Sequence, residues 1–428
     1  MSFTIEHLAP VDQVAVGVLF RKGRVLRNTS SNWEWGISMA HRVRRESYGV
    51  VYTEEEQFKD TYGGEPGSVF IECMRIVPED LAQTTVVVFS HPIGGGSFLP
   101  IMSQLARAGL HVLFVNTRYR GNDTALIMEK CLLDLSAGIK DAQRRFGYEK
   151  VILGGWSGGG SLSLFYQEQA EHPSIVNTPA GDPVNVAGAG LIPADGIMLI
   201  AAHVSRSVTM TEWIDPSITD ELEPSRRDVQ LDLYDASNPN QPPYGEDFLK
   251  AYRAAQIERN RKITAWVRDK LAALISEEGS AVEFGFVVHG TMADPRWLDP
   301  TLDPNDRVPG TCYLGDPQTV NMGPVGLARF CTLRSWLSQW SYDESRAHGE
   351  RNGANTSVPT LVIGNSADNA CAPSHTRRLF DAIPHDNKQL VAIKGASHYY
   401  SGQPEKCQEA ASTCHEWLTG QDLLGMSP

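Results

Sequence analysis

Ser157 stands in Gly155-Trp156-Ser157-Gly158-Gly159, directly after the β-branched run "KVIL" and directly before a helical pattern. A serine on a sharp strand-to-helix turn has its backbone forced into an unusual conformation, so small neighbours are needed on both sides. Such a turn pushes the hydroxyl out over the carboxyl end of a sheet, and the following helix aims its N-terminal N–H groups at the same point. The bland reading is a glycine-rich turn with a bystander serine. The strand-helix frame argues for a nucleophile.

A serine hydroxyl is a weak nucleophile without a base, and the base needs an orienting carboxylate. "TLVIGNSADNACAP" reads as a strand followed by a loop holding Asp368, and "QLVAIKGASHYYSG" as a strand followed by a loop holding His398. Both therefore lie just past the carboxyl end of a strand, as Ser157 does. Asp215 is the reserve acid. His203, His375 and His385 fit less well and read as surface or satisfied core histidines.

The run "VVVFSHPIGGGSFLP" at 86–100 is the third element of chemistry. Acyl transfer passes through a tetrahedral oxyanion, which preorganised backbone N–H groups stabilise. One donor is expected from Gly158, just after the nucleophile. Pro92 has no N–H to give, so Ile93 is the first choice for the second donor and Gly94 the next. Phosphate binding is the rival use of such glycines. It would need G-x-x-x-x-G-K-[ST] or G-x-G-x-x-G, and neither pattern is met.

The elements that must position these residues alternate. "SVFIECMRIV", "TTVVVFS", "HVLFVNTR", "KVILGGWS" and "ADGIMLIAAH" read as strands, separated after the second by helical patterns. Such alternation implies a mainly parallel sheet covered on both faces. It stops near Val204 and resumes at "VPTLVIGNSAD", about 150 residues later. The intervening segment is rich in Pro and Asp and holds one long amphipathic pattern, "EDFLKAYRAAQIERNRKITAWVRDKLAALI". It reads as an inserted cap of helices and ordered loops. Near the start, "QVAVGVLF" suggests a strand, whereas "SNWEWGISMAHRVRRESYGVVYTEEEQF" shows no period. The expected division is an N-terminal extension packed on the core (1–66), a core (67–205 and 357–428) and a cap (206–356).

On these residues the sequence resembles the α/β-hydrolase superfamily, specifically serine hydrolases with a cap inserted after the sixth strand. The matching residues are His91-Pro92-Ile93-Gly94-Gly95-Gly96, the Gly155–Gly159 motif, Asp368 and His398. The order Ser, Asp, His is that of this fold. Many members have His-Gly where this chain has His91-Pro92. The resemblance implies a cofactor-free hydrolase working through an acyl-enzyme. It implies no substrate, because one fold hosts many chemistries. The expectation is carboxylic ester hydrolysis, with lactone or carbon–carbon bond hydrolysis or acyl transfer as alternatives on the same triad. A ligand-binding module without turnover is the non-enzyme alternative.

Composition narrows the partners. The chain has 428 residues, a net charge of −13 and no basic run longer than "RVRR" at Arg42–Arg45. That argues against nucleic acid and anionic membranes. No signal sequence or membrane span is evident, and the seven scattered cysteines suggest reduced thiols in the cytoplasm. Cys407 and Cys414 would be roughly 10 Å apart on one helix, too far for a disulfide. Trp213, Trp266, Trp297, Trp336 and Trp340 in the cap suit either a core or an apolar or aromatic substrate pocket, the core being favoured. Asp294, Asp299, Asp303 and Asp306 lack EF-hand spacing, so no metal is expected. Arg118 and Arg120 follow a strand end, where structural ion pairs are favoured over a substrate carboxylate. Oligomeric state is not legible.

Overall fold

Val86–Phe89, Val112–Val115 and Val151–Leu153 are buried on both sides, so these runs can only be interior strands of a sheet sandwiched between helices. The computed structural model describes residues 41–54, 65–279 and 282–425, all within one compact unit. Strands β1 (Val43–Thr53), β2 (Ser68–Pro78), β3 (Thr85–His91), β4 (Val112–Asn116), β5 (Lys150–Trp156) and β6 (Gly196–Ile200) precede the insertion. Inside the insertion β7 (Gly285–Val287) and β8 (Phe330–Thr332) form a small antiparallel ribbon. After it come β9 (Thr360–Asn365) and β10 (Lys388–Ile393). The main sheet has the order β1-β2-β4-β3-β5-β6-β9-β10. β2 alone runs against the other strands of this sheet, antiparallel to both β1 and β4. This is the α/β-hydrolase arrangement.

Alternate side chains serve the two faces, as the two-residue period of a strand requires. Val86, Val88, Leu113, Val115, Leu153 and Leu199 share a core with helices α2 (Met128–Phe146) and α3 (Gly159–Glu171). Val87, Phe89, Phe114, Ile152, Met198 and Ile200 share the other with α1 (Pro100–Arg107) and the C-terminal helix Pro404–Gly420. The chain leaves β3 towards β4 on one side and returns to β5 on the other. Their carboxyl ends therefore open a crevice at a switch point, where ligands of such sheets bind.

β1 is the strand that the sequence hides. The sequence shows no period here and assigns 1–66 to an extension packed on the core; within it, residues 43–53 pair with β2 along their whole length. As an edge strand it buries only Val50 fully, and Arg44, Arg45 and Glu46 blunt its free side. "QVAVGVLF" lies outside the described residues.

Residues between β6 and β9 form helix α4 (Arg206–Trp213), helix α5 (Glu246–Glu278), short helical turns and ordered loops. α5 buries Tyr252, Gln256, Asn260, Ile263, Val267, Leu271 and Leu274, a stripe at three- and four-residue spacing. Trp336 and Trp340 are fully buried against it. Trp213 and Trp297 pair at 5.0 Å in a second cluster. Four of the five tryptophans thus fill core, and Trp266 is half-exposed. All seven cysteines are buried and free. Among the described residues no helix is long and apolar enough to cross a membrane.

Candidate active site

Ser157 follows β5 with φ +53°, a left-handed conformation that non-glycine residues rarely adopt. Such strain costs about 1–3 kcal/mol and persists only where surroundings enforce it. Here the Ser157 N–H donates to the Ala201 carbonyl at 3.1 Å, tying the turn to the end of β6. A Cβ on Gly155 would lie 2.6 Å from the Gly160 Cα, and one on Gly159 would run into the Ser90 carbonyl. The motif's glycines therefore answer to contacts between backbones.

His398 follows β10 and Asp368 follows β9. Their side chains meet, with His398 Nδ1 2.8 Å from Asp368 Oδ2. An ionised carboxylate only accepts, so Nδ1 carries the proton and Nε2 is left as the basic nitrogen. The other carboxylate oxygen accepts N–H bonds from Ala370 at 2.7 Å and Cys371 at 2.8 Å. Both groups are buried, His398 at 3% and Asp368 at 1% exposed. Asn365 Nδ2–H donates to the Ser397 carbonyl at 2.9 Å and Asn305, from the insertion, donates to the Asp368 carbonyl at 2.8 Å.

Among the described residues no hydrogen bond joins the Ser157 hydroxyl to the imidazole. Its polar neighbour is the Cys371 thiol, which burial holds well above its ordinary pKa, with Asp368 adding and the Ser157 hydroxyl opposing. Serine–base contacts in ligand-free sites are commonly loose and tighten with substrate. Asp368, Cys371 and His398 bring three possible metal-binding atoms within 4.8 Å of one another. Two of the three are already bonded to each other, and the third is a protonated thiol, so the set suits a proton relay better than a cation.

The glycine loop narrows the choice of oxyanion donors. The N–H of Gly94, the second choice, donates to the His91 carbonyl at 2.7 Å. Gly95 N–H is committed to Asn116 Oδ1 at 2.7 Å. Among the described residues the N–H groups of Ile93 and Gly158 donate to no protein acceptor. Gly121 N–H holds the Ile93 carbonyl at 2.8 Å, which fixes the loop.

The remaining candidates separate cleanly. Asp215, the reserve acid, is buried in the insertion between Arg227 at 2.5 Å and Asn321 at 2.7 Å, and among the described residues it makes no hydrogen bond to His398. Arg118 is buried in a knot with Glu54, Asp134 and Tyr52, and Arg120 pairs with Glu72. Asp294 pairs with Arg253 and Arg296, Asp299 accepts from Tyr244 and Thr301, Asp303 from Ser374, and Asp306 from Ser366. His375 is a core residue bonded to Glu212 at 2.7 Å. His203 departs from expectation, because it lies beside Gly158 with a buried Nδ1 that has no partner among the described residues.

Trp156 is the functional neighbour that the motif letters conceal. Its ring lies 4.6 Å from the His398 ring, and its Nε1–H donates to the His398 carbonyl at 3.3 Å. The "x" of G-x-S-x-G carries no sequence signal for this contact.

No family model and no curated protein sequence matches the chain. Solved structures with similarity include the esterase domain of a Rhodothermus marinus protein, 12% identical, over 88% of this chain and 98% of that one, TM-score 0.40. The Paleococcus ferrophilus monoacylglycerol lipase is 15% identical, over 88% and 99%, TM-score 0.40. Est1E from Butyrivibrio proteoclasticus is 12% identical, over 82% and 96%, TM-score 0.42. At these values the likenesses carry no argument about chemistry. The fold stands on its strand order.

Proposed function

We propose that the chain is a serine hydrolase of carboxylic esters, with Ser157 as nucleophile, His398 as general base and acid, and Asp368 as the orienting carboxylate. One observation carries this reading. The Asp368–His398 pair, 2.8 Å across, lies at the same carboxyl end of the sheet as a serine held at φ +53° between a strand and a helix. A structural polar pair has no need of a strained serine beside it.

The chemistry follows from the protonation states. His398 Nε2 takes the proton as Ser157 Oγ attacks the carbonyl carbon. The oxyanion forms against the N–H groups of Gly158 and Ile93. Collapse expels the alcohol, protonated by His398, and leaves an acyl-enzyme. Water, activated by the same Nε2, then releases the acid.

Residues 206–356 are read as a cap over this edge. In support, Asn305 and Trp297 hydrogen-bond to the carbonyls of Asp368 and Asn369 at 2.8 Å, and Glu212 reaches His375. The cap would thus help hold the acid in place.

The test is hydrolysis of p-nitrophenyl esters of increasing acyl length, with Ser157→Ala alongside and fluorophosphonate labelling as a second readout. Loss of roughly a millionfold in kcat together with loss of labelling is expected for the variant. Undiminished turnover by Ser157→Ala, or no turnover and no labelling of the wild type, overturns the reading. Product analysis separates esters from lactones and carbon–carbon substrates.

A further inference from the structure

Two imidazoles flank Gly158 that the mechanism above does not use. A Cβ on Gly158 would lie 2.9 Å from His91 Nε2 and 3.4 Å from His203 Nε2. His91 ends β3 and His203 follows β6, so the two rings reach Gly158 from either side of β5. On each ring Nδ1 is buried and, among the described residues, finds no hydrogen-bond partner.

Buried polar atoms in native proteins are nearly always satisfied, and an exception calls for a reason. A histidine kept only to fill space would be better replaced by an apolar side chain. Here each ring presents its other nitrogen to the backbone of the residue that follows the nucleophile. With Nδ1 idle, the proton belongs on Nε2, where an acceptor can reach it.

The charge state suits donation. Burial, helped by Arg206 and His398, drops His91 to about 3. Burial, followed by His375, Arg206, His91 and His398, holds His203 well below its ordinary value. Both rings are neutral near pH 7, and a neutral imidazole is an effective electrophile toward a developing oxyanion.

The backbone leaves room for such help. Pro92 has no N–H, and the Gly94 and Gly95 N–H groups are spent on His91 and Asn116. Of residues 92–95, this leaves the Ile93 N–H as the one without a protein acceptor among the described residues. We propose that His91 and His203 are further catalytic residues, donating Nε2–H to the oxyanion that forms beside Gly158. This inference rests on the serine-hydrolase reading. In the step concerned, the Ser157 Oγ–carbon bond forms, the carbonyl π pair moves onto oxygen, and that oxygen accepts the N–H bonds.

The experiment compares His91→Phe, His91→Gln, His203→Phe and His203→Gln in the full chain. It measures kcat and KM on p-nitrophenyl acetate, affinity for phenylboronic acid, and fluorophosphonate labelling of Ser157. Each Phe variant is expected to lose about 10²–10³ in kcat, as for removal of one oxyanion donor, with KM within about threefold. Gln, which restores an N–H near Nε2, is expected to recover activity to within about tenfold of wild type, and boronate affinity should fall in parallel with kcat/KM. In the wild type, the Nε2–H proton resonances of both rings are expected to move downfield on boronate binding, a readout that needs no variant. Phe variants with kcat within about threefold of wild type, losses confined to KM, Gln no better than Phe, or unmoved resonances each overturn the proposal. A wild type that neither labels nor turns over overturns the hydrolase reading and this one with it. A wild type that labels and turns over, with active Phe variants, overturns this one alone.

Discussion

The Trp156 indole lies against the His398 imidazole, ring centroids 4.6 Å apart, and its Nε1–H reaches the His398 carbonyl at 3.3 Å. The residue preceding the proposed nucleophile thus holds the proposed base, although 242 positions separate them. Tyr399 completes the contact, at 5.2 Å from Trp156 and 4.8 Å from His398. The imidazole is therefore oriented from two directions, by Asp368 at Nδ1 and by the indole at its face and backbone.

Trp156→Phe keeps an aromatic face and removes the N–H donor. One hydrogen bond of this kind is worth about 0.5–1.5 kcal/mol, so kcat/KM should fall roughly threefold to tenfold with labelling of Ser157 retained. Trp156→Ala also empties the buried site and should cost about 3–5 kcal/mol of stability by urea denaturation. Equal kinetics for wild type and Phe would mean that the indole N–H does not orient the base.

Asp368 and Asp215 make opposite predictions. Asp368→Asn keeps the shape but allows the wrong tautomer of His398, and kcat should drop by roughly 10⁴. Asp215→Asn removes one of the two carboxylates that hold the part-buried Arg227, with Asp232 remaining, and should lower stability by about 1.5–3 kcal/mol while the folded fraction keeps its kcat. Steady-state kinetics and urea melts on both variants check this. A catalytic loss at Asp215 instead would reassign the acid.

What was legible from sequence were the groups tied to strand ends. Ser157, Asp368 and His398 each follow a strongly β-branched run, and their order along the chain is informative by itself. What was not legible depends on which strands lie side by side. His203 meets Gly158 because β6 pairs with β5, and nothing in "IAAHVSR" announces that neighbour. Gly94 ranks second to Ile93 as a donor in the sequence, and nothing there shows that its N–H turns back on the His91 carbonyl. β1 escaped notice because an edge strand with one fully buried side chain has no hydrophobic period to read. Asp215 is held inside the insertion by Arg227 and Asn321, partners that composition cannot assign.

Two glycine substitutions separate crowding from conformational strain. Gly155→Ala would place a methyl 2.6 Å from the Gly160 backbone, where only movement of the elbow can relieve it. It should abolish turnover and labelling, at a cost above about 3 kcal/mol. Gly95 has φ +78° but nothing within 4 Å of its missing Cβ, so Gly95→Ala meets only backbone strain of about 1–2 kcal/mol. Labelling rates and melting temperatures measured together would show it. A fully active Gly155→Ala would mean that the elbow is looser than its contacts imply.

Glu212 of α4 joins the insertion to the helix that follows Asp368, bonding His375 Nε2 at 2.7 Å and pairing with Arg296. Burial alone would raise its carboxyl, but His375, Arg296 and Arg253 outweigh burial and hold it well below the usual range. Burial would likewise raise Asp294, and Arg253 and Arg296 likewise keep it low. For a carboxyl depressed on folding, the stabilisation is fully present above the unfolded value of about 4.3 and is lost as pH falls through the folded one. Glu212→Gln should therefore be less stable than wild type by about 3 kcal/mol at pH 7 and nearly as much at pH 5, with the gap narrowing below about pH 4. Urea midpoints at pH 7, 5 and 3 measure it. A gap of constant size across that range would mean that Glu212 contributes through its shape and hydrogen bond alone, with no share from its charge.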